Sequence, residues 1–281
     1  MRLLGQLVLP FAAVAAVAFV GSMGAAAVEG NGLFTMVIGV ATAVLAVVVY
    51  RWVVRRTERR TPEEVAGKGA VPAFGRGLVV GVALFSAVIG NIAFNGAYHV
   101  DGLGSPEGAI GFIGFMAAAA ATEELMFRGV LFRLIEQRLG TWIAMVLTGA
   151  LFGAFHLTNP HASLWGAIAI MIEAGGMLAA AYAATRNLWL PIGLHFGWNF
   201  AEAGIFSTEV SGNGATEGLL NSDISGPAFY TGGSFGPEAS PPAITFCVLA
   251  TIVFLWLAHR RGNLVPRRRS ARAAATATLS Q

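Results

Sequence analysis

Eight apolar runs, separated by short polar breaks, constrain what this chain can fold into more than any other feature. They occupy about residues 4–28, 33–54, 76–98, 108–132, 141–158, 163–184, 188–206 and 243–259. Each has the length that crosses roughly 30 Å of hydrocarbon, about 17–25 residues. In lipid the backbone must satisfy its own hydrogen bonds, so runs of this kind are helices. The expectation is an all-α polytopic membrane bundle of about eight transmembrane helices. Composition agrees: 56% of residues are hydrophobic and 12% charged, where a soluble domain carries roughly 25% charge. A single cysteine, Cys247, excludes a disulfide-built secreted domain. The first run follows Arg2 as a signal peptide would. It is longer than a usual signal core of roughly 7–15 residues, so an uncleaved span is expected.

The whole chain, 1–281, reads as one integral membrane domain with no internal repeat. The net charge of +3 points to no nucleic acid once its positions are read. Basic residues cluster between Arg51 and Arg76 and between Arg260 and Arg272, each time flanking an apolar run and without interleaved aromatics. The segments near 29–32, 99–107, 159–162 and 207–242 hold no Lys or Arg but carry Glu29, Asp101, Glu107, Glu209, Glu217, Asp223 and Glu238. Basic residues mark the cytoplasmic side, so both termini are expected in the cytoplasm of a multi-pass cell-membrane protein. Residues 55–75 then form a basic linker on anionic lipid headgroups. Residues 207–242 form an external loop, and 260–281 a basic cytoplasmic tail.

Ionisable side chains inside membrane spans are costly and mark function. The fourth run holds Ala-Thr-Glu123-Glu124-Leu-Met-Phe-Arg128. Glu124 and Arg128 are one helical turn apart and can pair, while Glu123 points elsewhere. The fifth run ends in Phe152-Gly-Ala-Phe-His156, and the seventh carries His195-Phe-Gly-Trp-Asn199, whose first and last residues share a face. A hairpin turning at Gly140 puts the Glu pair and His156 each about 24 Å from the turn at about 1.5 Å per residue, hence level. His195 lies roughly 10 Å into its span, so the three motifs converge on one layer, expected near the cytoplasmic side. Glu173 and Glu202 are further intramembrane acids whose role the sequence leaves open. Asn91 and Asn95 read as contacts between helices.

A carboxylate and a histidine can activate a water between them, and a second histidine with a carboxamide can stabilise an oxyanion. That is equipment for amide hydrolysis without a covalent intermediate. The same types could instead hold zinc through Glu123, His156 and His195, although no H-E-x-x-H spacing is present.

E-E-x-x-x-R at Glu123–Arg128, F-x-x-x-H at Phe152–His156 and H-x-x-x-N at His195–Asn199 together resemble the CAAX prenyl protease and bacteriocin-processing family of intramembrane proteases. The resemblance covers residues 108–206, which would be the protease core. It implies a cavity open toward the cytoplasm, in which a membrane peptide or C-terminal protein segment is cut. It further implies Glu123 as the base acting with His156, His195 and Asn199 as oxyanion donors, and Glu124 with Arg128 as supports. A metal-independent glutamate mechanism is the preferred expectation, with a zinc metalloprotease as the alternative. Two other functions fit the residues themselves: a proton-coupled small transporter, and a catalytically inactive scaffold that binds membrane peptides.

Overall fold

In the computed structural model, which describes residues 2–214 and 216–267, the chain is a bundle of helices with one small sheet. Its long helices are α1 (Arg2–Ala26), α2 (Gly32–Glu58), α3 (Ala70–Phe94) and α4 (Pro106–Leu139). They continue with α5 (Thr141–Thr158), α6 (Leu164–Thr185), α7 (189–205) and α8 (Pro241–Arg260). Strands β1 (Tyr98–Leu103) and β2 (Leu220–Ile224) pair antiparallel, with a bulge between Val100 and Gly102. Residues 268–281 of the basic tail lie outside the described residues.

Seven of these helices are long and apolar enough to cross a membrane. The exception is α7, eleven residues of α-helix followed by six of π-helix. Every residue from Pro191 to Asn199 is buried, so α7 meets its neighbours rather than lipid and needs no full-length apolar face. Large apolar side chains such as Phe19, Val44, Val146 and Ile252 stay exposed on the outer helices, where hydrocarbon covers them.

Helix starts were written locally. Ser105, Ser163 and Ser240 each accept a hydrogen bond from a backbone N–H three residues on, and proline follows two of them. Close approach is written in glycine. Gly77 and Gly81 of α3 lie against backbone atoms of α7, and Gly193 and Gly197 of α7 lie against Phe74 and Leu78 of α3. The i, i+4 spacing on both partners lets two backbones meet along a stripe without side chains between them. Gly39 and Gly114 do the same for α2 and α4.

The connections depart from expectation. Helix α2 runs on to Glu58 and α3 begins at Ala70, so the basic linker is shorter than 55–75 and is tied down. Arg133 donates to Glu58 at 2.5 Å, while Arg60 and Tyr50 each donate to Glu64 at 2.6 Å. Burial pushes the Glu64 carboxyl up, but hydrogen bonds from Arg60 and Tyr50 outweigh it and hold the group below its ordinary value. A carboxyl lowered in this way stabilises the folded linker above its unfolded value, and the contribution is lost as pH falls through the folded one. Protease nicking of residues 59–69 should therefore stay low at neutral pH and rise only in acid below the usual carboxylate range. In Glu64→Gln it should be raised already at neutral pH.

At the opposite end, the segment between α7 and α8 is no irregular external loop. It contributes β2 to the sheet and packs back into the bundle, burying Ser211, Phe235, Glu238 and Ser240. Asn91 and Asn95 serve this segment rather than another helix. Asn95 Nδ2 donates to the Tyr230 hydroxyl at 2.7 Å, which donates to Asn91 Oδ1 at 2.6 Å. His161 and Glu209 form an ion pair of 2.6 Å there.

Candidate active site

Three helices change winding where their buried ionisable residues sit. Leu125–Phe132 of α4, Met171–Gly175 of α6 and Phe200–Ile205 of α7 are π-helical, and they carry Arg128, Glu173 and Glu202. Such wide turns recur at functional sites.

Arg128 is the hub. Its Nη1 donates to Glu124 Oε1 at 2.7 Å, as the one-turn spacing implied, and its Nη2 donates to the Ala174 carbonyl of α6 at 2.8 Å. The guanidinium also lies 4.6 Å from the centre of the Phe152 ring of α5. Glu124 is fully buried, and its Oε1 is 3.1 Å from His195 Nδ1. One ion pair thus joins α4 to α5, α6 and α7. A proton on His195 Nδ1 faces the Glu124 carboxylate, which leaves Nε2 directed elsewhere.

Glu123 stands apart from this clamp. Its side chain is 18% exposed, its Oε2 has no hydrogen-bond partner, and it lies 3.9 Å from His195 Nε2. His156 Nδ1 is 2.8 Å from the Phe152 carbonyl, an arrangement that places the proton there and leaves Nε2 as an acceptor. The Phe152 ring lies between the two histidines, 4.8 Å from His156 and 6.1 Å from His195 between ring centres.

His156, His195 and Asn199 line one small cavity together with Glu173, Ser211 and Glu238. About 10 Å³ is open in it to the centre of a water molecule, room for a single one. Both histidines and Asn199 thus come together as the sequence led one to expect, with two differences in the arrangement. Glu123 borders His195 rather than the cavity, and among the described residues no hydrogen bond or ion pair joins it to His156. The layer also lies deeper than expected. His156 falls in the last turn of the short α5, and Ser211 and Glu238 reach the cavity from the end opposite the basic clusters. Neither Ser211 nor Glu238 carries a local signal of burial, since both stand in Gly- and Pro-rich stretches that tertiary contacts alone fold inward. Glu173, left open by the sequence, is part of the lining.

The zinc alternative needs Glu123, His156 and His195 as ligands. Among the described residues, no three His, Cys, Asp or Glu side chains come together as a metal requires. His195 also has Nδ1 engaged by Glu124 and its Nε2 no closer than 3.9 Å to Glu123. The set does not fit a preformed zinc site, and no step below runs through a metal.

Residues 105–201, from the cap of α4 into α7, match the family model described as type II CAAX prenyl endopeptidase Rce1-like. The matched segment is similar to that family over about a third of the chain. It contains Glu123, Glu124, Arg128, His156, His195 and Asn199, and it leaves α1–α3 and α8 outside. A comparison with curated proteins gave no match. The family model describes endopeptidases, and the segment that resembles it is set in a bundle whose helices are long and apolar enough to cross a membrane.

Proposed function

We propose that the protein is an intramembrane endopeptidase that hydrolyses a peptide bond near the C-terminus of a membrane-associated or lipidated peptide. Glu123 takes a proton from water, and the free Nε2 of His156 orients that water toward the carbonyl carbon. His195 acts as an imidazolium, its Nδ1 proton on Glu124, so that its Nε2 and the Asn199 carboxamide both donate to the oxygen that becomes negative. Glu124 and Arg128 hold His195 in place and touch no substrate. The observation that carries the reading is the gathering of both histidines and Asn199 around a water-sized cavity, with the partly exposed Glu123 carboxylate beside His195. The separation of Glu123 from the cavity accords with catalytic contacts that tighten only when substrate is bound. The basic clusters support an orientation with both termini in the cytoplasm.

Purified protein in liposomes, offered quenched peptides with and without a prenyl group, tests this. Wild type is expected to cut, and His195→Ala to lose roughly a hundred- to a thousandfold in kcat, the usual cost of one oxyanion donor. Cleavage should persist in a strong chelator, and loss of activity there would return the zinc mechanism. Peptide binding without any cleavage by wild type would favour the scaffold and sink the hydrolase.

A further inference from the structure

Amide hydrolysis also needs a proton for the departing amine, which the protonated base can return or a separate acid can supply. The cavity wall holds a group suited to it. Glu173 is wholly buried on the π-helical turn of α6, and neither of its carboxyl oxygens has a hydrogen-bond partner. It lines the same cavity as His156, His195 and Asn199.

The acids around it differ in a telling way. Glu238, from the segment before α8, is hydrogen-bonded through both oxygens: its Oε1 accepts from Trp198 Nε1 at 3.1 Å and its Oε2 from Ser211 Oγ at 2.6 Å. Glu202 of α7, like Glu173, is fully buried with both oxygens unpartnered. Cys247 of α8 completes the surroundings. Arg128 donates from Nη1 to Glu124 and from Nη2 to the carbonyl of Ala174, the residue next to Glu173, and makes no hydrogen bond to Glu173 itself. A buried carboxylate with neither counter-charge nor donor is far costlier than the neutral acid.

We propose that Glu173 is the general acid of this site, held as a neutral carboxylic acid that protonates the leaving amine. The inference rests on the hydrolase reading. Water adds its oxygen to the carbonyl carbon and gives one proton to Glu123. The tetrahedral intermediate then breaks its C–N bond, and the nitrogen takes the proton of Glu173 as it leaves with the bond pair. Transfer of the Glu123 proton to Glu173 restores both groups, and the net change is one water added across one amide. No further reactant is needed.

General acid help matters for a poor leaving group such as an alkylamine and little for a good one such as a phenolate. The experiment compares the full-length protein with Glu173→Gln and Glu173→Asp on two substrates. One is a peptide amide and the other an activated aryl ester of the same acyl segment. Glu173→Gln is expected to lower kcat on the amide about a hundredfold with KM little changed, and to leave the ester within a fewfold of wild type. Its amide kcat–pH profile should lose the alkaline fall that marks an acid required in protonated form, and Glu173→Asp should recover part of the rate. Equal loss on both substrates, as a structural role or misfolding would give, overturns the proposal, as does an unchanged amide rate. A wild type that cuts neither substrate removes the hydrolase reading itself, and the role of Glu173 falls with it.

Discussion

Glu123→Gln is expected to fold as wild type does and to cleave peptides roughly a hundred- to ten-thousandfold more slowly, the range for loss of a general base. The adjacent carboxylate cannot replace it. Glu124 is fully buried, and the oxygen that it presents is shared between Arg128 at 2.7 Å and His195 at 3.1 Å. Glu123 is partly exposed with a free oxygen, so amide in place of carboxylate removes its basicity and little else. The loss should fall on kcat with KM nearly constant, because Glu123 acts on water and not on the peptide. A Glu123→Gln protein within tenfold of wild type in single-turnover cleavage would falsify the assignment of the base.

The second large effect is on stability. Arg128→Ala leaves Glu124 buried without its guanidinium partner, with His195 alone beside it, and strands the Ala174 carbonyl that Nη2 serves. Breaking one side of a buried ion pair costs about 3–5 kcal/mol, which unfolding in mixed micelles would show as a large shift of midpoint. Arg128→Lys should recover only part, since an ammonium lacks the planar fork that reaches Glu124 and α6 together. Removing both charges, with Glu124→Gln and Arg128→Met, should restore much of the stability yet not the cleavage, because His195 Nδ1 has then lost its carboxylate. A double variant no more stable than Arg128→Ala would mean that the four-helix junction, rather than the ion pair, sets the cost.

The sequence announced the bundle because lipid permits few solutions. Length, apolarity and the distribution of Lys and Arg suffice to mark spans, and the turn at Gly140 was visible from its polar flanks. Pairing of Glu124 with Arg128 followed from helical spacing alone. What stayed hidden was long-range. Helix α7 is legible as apolar but not as central, because burial by neighbours leaves no local trace. The segment between α7 and α8 lacks any period, so nothing forewarned that Ser211 and Glu238 would enter the cavity or that β2 would pair with β1. The level placement of the motifs was sound in outline, but the helical rise gave no sign that residues beyond α7 would fold back over them.

That folded-back segment bears on how such a protein can be safe to its own membrane. It is stitched to the connection between α5 and α6 by His161 N–H on the Gly212 carbonyl at 2.9 Å and by Asn159 Nδ2 on the Ser211 carbonyl at 2.7 Å. Trp165 Nε1 fastens a third point, on the Ala239 carbonyl at 2.8 Å. In the cavity wall itself Phe152 packs edge-on against Phe127. On the hydrolase reading, a site enclosed in this way is closed at rest, and restraint lies in the resting architecture rather than in the chemistry of the cut.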